Sequence, residues 1–249
     1  ARDAKQPFYL HLWTDDPHTP HEPSPANRGD GSVMAMYDGV VKELDRDLGL
    51  LFDAIRDDAQ LRQNTLIVFA SDNGHDPAIT ASAGLRGHKS NLYEGGIRDP
   101  FIVWWPGAHD AGKVGTVNQT TTLAGFDLAP SILHIAGVPI PNGVKFDGQD
   151  MSRAYRGEAI AREGSICWLR PPDRPGPGGS FPDLAIRKGA MKLLVEEDGS
   201  NAQLFDVMAD PTEQRDLAVG QPDRVSEMKA EVLAWRKQMP QPTTKPATN

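Results

Sequence analysis

Two hard oxygen donors stand at the end of an apolar run: Leu66-Ile67-Val68-Phe69-Ala70 leads straight into Ser71-Asp72-Asn73-Gly74. Carboxylate and amide oxygens suit Ca²⁺ or Mg²⁺, and no Cys or His pair at metal spacing accompanies them to suggest zinc. Asp-Asn-Gly is also a good turn tripeptide, so the motif gains its weight from position, because ligands in α/β folds bind at the carboxyl ends of strands. A loop follows in which Gly84, Gly87, Gly95 and Gly96 surround Lys89, and then a second apolar run, Phe101-Ile102-Val103-Trp104-Trp105. Glycines allow close backbone approach, and a lysine among them offers a compact point charge to a phosphate or sulfate; the blander reading is a solvated loop charge. Glu94 and Arg98 are expected to pair or to brace this loop. His18, held between Pro17 and Pro20, has a reference pKa of ~6.5 that suits a general acid for a leaving alkoxide, with a histidine that merely caps a strand end as the alternative. It lies nearer the strand end than His21 and is preferred for that reason, while His75, His88, His109 and His134 read as structural or surface residues. Cys167, between Ile166 and Trp168, reads as a buried and inert thiol, so none of these residues is a nucleophile.

The elements that must hold these groups follow from periodicity. Residues 8–14 are apolar enough for a strand and stop at a proline-rich loop that carries His18 and His21. From Asp30 or Ser32 onward, Val33, Tyr37, Val40, Val41, Leu44, Leu48, Leu51 and Ile55 recur at steps of three and four, which predicts a long amphipathic helix. With the strand at 65–70 this makes strand, helix and strand, the pattern of a parallel crossover unit. A helix over 126–136 with a glycine stop at Gly137 comes next, then a proline-rich connection from 138 to 182. Leu184–Lys188, Met191–Glu196 and Gln203–Val207 predict an antiparallel meander turning at Gly189 and Asp198-Gly199, and Pro222 opens a last helix. The expected division is an α/β domain over 1–150, a small α+β subdomain over 151–239 and a loose tail over 240–249.

Composition narrows the classes of function. The 249 residues are 39% hydrophobic and 24% charged, an ordinary globular mixture, and 24 glycines with 21 prolines point to long, shaped loops. A formal charge of -8 without a Lys/Arg cluster argues against a nucleic-acid surface. No run approaches the ~18 apolar residues of a membrane span. One cysteine forbids an internal disulfide and leaves the redox compartment unread.

Taken together, these segments resemble the formylglycine-dependent sulfatases of the alkaline-phosphatase-like superfamily. The resemblance runs in family order through Pro7-Phe8-Tyr9-Leu10, Pro17-His18-Thr19-Pro20, the helix Asp38 to Leu51, Asn64 to Gly74, Lys89 with Tyr93-Glu94-Gly95-Gly96-Ile97-Arg98, Asp127-Leu128-Ala129-Pro130-Ser131 and Asp147-Gly148. Toward the C-terminus, Ile186-Arg187-Lys188-Gly189, Leu204-Phe205-Asp206 and Asp210-Pro211-Thr212-Glu213 resemble the family's small terminal domain.

The resemblance implies an alkaline-phosphatase-like α/β sheet flanked by helices, present in part, with a small C-terminal antiparallel sheet and helix. It implies sulfuric ester hydrolysis on an aryl or carbohydrate sulfate, plausibly a sulfated glycan, in which a hydrated formylglycine attacks sulfur. Asp72 and Asn73 would be two ligands of Ca²⁺ (Mg²⁺ is possible), Lys89 would hold sulfate oxygens, and His18 would protonate the leaving oxygen. The family's Cys-x-Pro-x-Arg segment and its first pair of metal-binding aspartates lie upstream of all these motifs and are not in this sequence. The chain therefore reads as the C-terminal half to two-thirds of a sulfatase, inactive alone, whose partner is the missing N-terminal part. Two other readings stay open: a non-catalytic anion-binding module or pseudoenzyme, and a phosphate or phosphonate ester hydrolase of the same superfamily. The resemblance suggests a periplasmic, secreted or lysosomal location.

Overall fold

The computed structural model describes residues 6–79, 84–109, 111–170 and 182–240. Residues 171–181 of the proline-rich connection expected from 138 to 182, and residues 241–249 of the expected tail, lie outside them. The chain divides into two compact units, one of residues 1–58 with 76–80, the other of residues 59–75 with 81–249.

In the first unit the main element is α1 (Val33–Asp57). Its start follows the sequence: Ser32 is the N-cap, and its hydroxyl accepts the Ala35 N–H at 3.3 Å. Glu43 on the helix ties down the preceding loop by accepting Asn27 Nδ2 at 2.7 Å and Ser24 N at 3.1 Å. Gly39 makes room for that loop, since a methyl group there would stand 2.3 Å from the Asn27 carbonyl oxygen.

The strand expected over 8–14 is not formed. Residues 6–15 are exposed, with Trp13 79% accessible. Alternate rings do share one side, Tyr9 to His11 at 6.4 Å and His11 to Trp13 at 5.6 Å between centroids, as in a strand. What is missing is a hydrogen-bonded neighbour among the described residues, without which an extended segment is not a sheet.

The second unit begins with α2 (Ala59–Asn64), a short helix, and β1 (Ile67–Ala70). After the glycine-spaced loop come α3 (Glu94–Ile97) and β2 (Phe101–Trp104). β1 and β2 pair antiparallel, Ile67 opposite Trp104 and Ala70 opposite Phe101, so the pairing seen is that of a two-stranded ribbon and not the parallel crossover. The physical reason is adjacency: both strands bound the same loop, and no other described strand lies beside either. Phe69 and Ile102, paired in that ribbon, are 39% and 57% exposed, so the apolar ribbon is half open.

α4 (Leu128–Ile135) ends as the sequence predicts. Gly137 adopts φ +66°, and the Gly137 and Val138 N–H groups bond back to the His134 and Leu133 carbonyls at 3.1 and 2.9 Å. Asp127, fully buried before it, accepts the Gln149 and Ala124 N–H groups at 2.9 and 2.8 Å and pairs with Arg162. The Asp127 to Ser131 segment thus serves packing: Ser131 Oγ accepts the Met151 N–H at 2.8 Å just before α5 (Ser152–Tyr155).

The C-terminal sheet has the order β3 (Ile166–Leu169), β4 (Leu184–Lys188), β5 (Met191–Val195), β6 (Gln203–Asp206), all antiparallel. The last three are the predicted meander; β3, hidden by the surrounding prolines, is an added edge strand. Strand alternation then gives the sheet two different faces. Leu184, Ile186, Leu193, Val195 and Leu204 pack with Met228 and Val232 of α6 (Pro222–Gln238), the predicted final helix. Ala185, Leu194 and Phe205 point the other way and pack with Leu92 and Tyr93, from the segment that bears Lys89.

Candidate functional site

The second unit brings Asp72, Asn73 and Lys89 into one knot of backbone. Where β1 ends, Gly74 N donates to the Gly96 carbonyl at 3.0 Å, and Lys89 N donates to the His75 carbonyl at 2.9 Å. Gly95 N closes the same loop onto the Arg86 carbonyl at 2.7 Å. The two segments touch so closely that a methyl group on Gly74 would stand 1.8 Å from the Gly95 carbonyl oxygen, and one on Gly96 2.2 Å from that of Asn91. Here the glycines are a steric requirement. Next to the lysine, Ser90 takes φ +77°, a left-handed conformation that costs a residue with a Cβ about 1–2 kcal/mol. Asn91, 2% exposed, bridges the turn by accepting the His88 N–H at 3.3 Å.

Asp72 is exposed and Asn73 half-buried. Asn73 Nδ2 donates to the Gly74 carbonyl at 3.0 Å, which leaves its Oδ1 as the side chain's acceptor. Burial, and then the charge of Asp72, push the Asp99 carboxyl up to about 6. The Asp72 and Asp99 carboxyls are thus close enough at this strand exit to interact, an arrangement that suits a cation. Two oxygens are only part of the six to eight that Ca²⁺ takes, and no group of three or more His, Cys, Asp or Glu poised for a metal occurs among the described residues. The donor set fits one side of a hard-cation shell.

Among the described residues no carboxylate pairs with the Lys89 ammonium. Glu94 and Arg98 do pair, at 3.4 Å, as expected of bracing residues. His18 belongs to the other compact unit, in a turn closed by its N–H to the Asp15 carbonyl at 2.9 Å, with its ring Nδ1 2.8 Å from the Thr19 carbonyl oxygen. Of the histidines read as structural, His109 Nε2 lies 2.6 Å from the Tyr155 carbonyl oxygen and His134 pairs with Asp150 at 3.0 Å. His88 Nδ1 lies 2.7 Å from the Lys89 carbonyl oxygen, and its ring meets that of His75 edge-on.

Cys167, half-buried on β3, has its thiol pushed up to about 12 by burial and by the charge of Glu231. Alkylation of the native chain by iodoacetamide at about pH 8 should then be at least ~100-fold slower than in the urea-unfolded chain. Equal rates would reveal a reactive thiolate where none is expected.

Asp99 was not legible as a site residue, because it follows Arg98 and precedes a proline that looks like simple loop punctuation. Lys192, in the Lys192-Leu193-Leu194 segment that also resembles the family's terminal domain, was not read as a site residue. Its signal was available: one lysine inside the otherwise apolar run Met191-Lys192-Leu193-Leu194-Val195.

Comparison with known proteins gives a consistent result. A family model described as Sulfatase matches residues 1–138. An N-acetylgalactosamine-6-O-sulfatase of Bacteroides thetaiotaomicron is 28% identical over 251 residues, which cover 90% of this chain and 46% of that protein. Human arylsulfatase A is 32% identical over 220 residues, covering 85% and 40% respectively. Among solved structures, that of Ps i-CgsB superposes with a TM-score of 0.80 at 27% identity, covering 97% of this chain and 52% of that one. The chain spans about half the length, or less, of these relatives.

Proposed function

Since the chain belongs to the sulfatase family and carries its alkaline-phosphatase-like α/β fold, we propose that it forms the C-terminal part of a sulfuric ester hydrolase and supplies one wall of the active site. The observation that carries this reading is the mutual locking of the Asp72-Asn73 turn and the Lys89 loop through Gly74 N to Gly96 O and Lys89 N to His75 O. It holds the backbone that bears two hard oxygen donors against the backbone that bears an ammonium with no carboxylate partner among the described residues. A sulfate ester is a singly charged tetrahedral group that needs charge stabilisation around its non-bridging oxygens, and such an arrangement provides it.

In this assignment Asp72 and Asn73 hold Ca²⁺, or Mg²⁺, from one side. The cation, when bound, would neutralise charge on the sulfuryl oxygens. Lys89 binds a second sulfate oxygen and keeps it in place as negative charge shifts within the group. His18 donates a proton to the departing alkoxide oxygen, for which an imidazole suits neutral pH. The attacking group comes from sequence upstream of residue 1, where the family carries Cys-x-Pro-x-Arg, so the 249 residues alone are expected to be inactive. Residues 1–150 would belong to the catalytic domain and 151–239 to a terminal subdomain.

For the substrate, a carbohydrate sulfate has more support than a simple aryl sulfate. One similar structure, at 27% identity and a TM-score of 0.75, is described as Ps i-CgsB in complex with a neocarrahexaose, and one matched relative is named an N-acetylgalactosamine-6-O-sulfatase. A periplasmic, secreted or lysosomal setting would accord with such a substrate.

The test is a paired assay, on the protein carrying its upstream segment, with an aryl sulfate and the matching aryl phosphate. Sulfate preference is expected, dependent on added Ca²⁺ and lost on chelation. Phosphate preference would transfer the assignment to the phosphate ester hydrolases, and inactivity toward both and toward sulfated oligosaccharides to a non-catalytic anion-binding module.

A further inference from the structure

The Lys89 loop is held by a buried charge cluster that none of the assigned roles explains. β5 is buried along its whole length, and its alternation turns Lys192 toward the loop, where it is fully inaccessible. Lys192 Nζ donates to Glu94 Oε1 at 2.9 Å and lies 3.0 Å from Glu213 Oε1, an ion pair without hydrogen-bond geometry. Glu213 accepts the backbone N–H of Glu94 through Oε2 at 2.7 Å. That N–H opens α3, whose N-cap residue Tyr93 offers no side-chain acceptor, so a carboxylate 119 residues away in sequence does the capping.

Glu213 is itself held for the task. It sits at φ +53° in a turn where its own N–H reaches the Asp210 carbonyl at 3.1 Å, and where Asp210 also accepts the Thr212 hydroxyl and the Arg215 N–H. A left-handed non-glycine residue is a strained one, kept when its surroundings fix it. Arg86, at the start of the loop, reaches back to the same turn by donating to the Glu213 carbonyl at 3.3 Å, and its guanidinium stacks 3.8 Å from the Tyr93 ring centroid.

A buried ion pair is a weak source of net stability, because desolvation offsets the attraction and apolar residues of the same volume often do as well. It does fix geometry, since every member must meet its partners. We infer that Glu213 and Lys192 are positioning residues: they seat the segment from Arg86 to Ile97, and with it Lys89, on the outer face of the C-terminal sheet. Neither touches the reacting atoms. They act through Glu94, whose place fixes Gly95 and Gly96 and so the turn bearing Asp72 and Asn73. The catalytic consequence rests on the sulfatase reading; the seating itself does not.

The experiment is hydrogen exchange on the 249-residue chain, comparing wild type with Glu213→Ala and with Lys192→Met, which keeps length and loses charge. Exchange in residues 86–97 is expected to quicken tenfold or more in each variant, while β4, β5 and α6 keep their protection. Glu213→Gln, which retains an acceptor for the Glu94 N–H, should recover most of the lost protection. Exchange within twofold of wild type in 86–97 would overturn the inference. So would loss shared equally by the sheet and α6, or failure of both variants to fold, since either marks a general role in stability. In the protein with its upstream segment, Glu213→Ala should lower kcat for an aryl sulfate at least tenfold and Glu213→Gln much less. A wild-type protein without sulfatase activity, in which the loop still loosens as described, would defeat the functional reading and leave the positioning role standing.

Discussion

Replacing Lys89 with alanine should lower turnover of a sulfate ester by roughly 10²–10³-fold in the protein that carries its upstream segment, the scale of losing one donor to a developing charge. The fold should be unaffected, because what Lys89 contributes to it is a backbone bond, N–H to the His75 carbonyl, that alanine keeps. The side chain is half-buried and has no carboxylate partner among the described residues, so its removal exposes no orphaned charge. A drop in kcat and in kcat/KM together would show that Lys89 acts in the transition state, while a rise in KM alone would reduce it to ground-state binding. Lys89→Arg should restore only part of the rate, because a planar fork replaces a point charge in a loop of fixed shape. Near-native turnover in Lys89→Ala, with an unchanged unfolding midpoint, would remove Lys89 from the mechanism.

The second large effect belongs to a residue with no side chain. Gly74→Ala puts a methyl group where the Gly95 carbonyl oxygen already stands, 1.8 Å away, and that oxygen is backbone in a segment pinned by Glu94 and by the Gly74 N–H itself. Nothing at the end of a flexible side chain can yield. The substitution should destabilise the second unit by about 3 kcal/mol, the upper part of the overpacking range, and separate Asp72 and Asn73 from the Lys89 loop. Gly125→Ala is the matched control, since a methyl group there meets nothing within 4 Å and the backbone needs no left-handed angle. Denaturant unfolding of the two variants decides the matter; equal midpoints would mean that the two segments separate easily and that the knot is loose.

What the sequence revealed was chiefly local. The Gly137 stop, the turns at Gly189 and Gly199 and the helix opened by Pro222 depend on a few neighbouring residues and stand where they were read, and of the two starts read for α1, Asp30 and Ser32, the cap is Ser32. Asp72, Asn73 and Lys89 could be singled out because glycines and strand ends mark them, and the structure gathers those three in one unit. Long-range partners were not legible. The pairing of β1 with β2, the edge strand β3 and the burial of Lys192 against Glu94 and Glu213 depend on residues from tens of positions to 98 apart, for which periodicity has no signal. Residues 8–14 illustrate the same limit from the other side: the composition of a strand is there, and the partner that would complete it is not among the described residues.

That last segment bears on how the molecule behaves in a test tube. From Phe8 to Trp13 the backbone donors and acceptors have no ladder to join among the described residues, and Phe8, Tyr9, Leu10, Leu12 and Trp13 are each more than half exposed. An extended, apolar, unpaired stretch is a template for any other strand, including the same stretch of a second copy. Association of two copies through these six residues would break no hydrogen bond already made there among the described residues, and a net charge of -8 carried elsewhere on the chain opposes it only weakly at physiological salt.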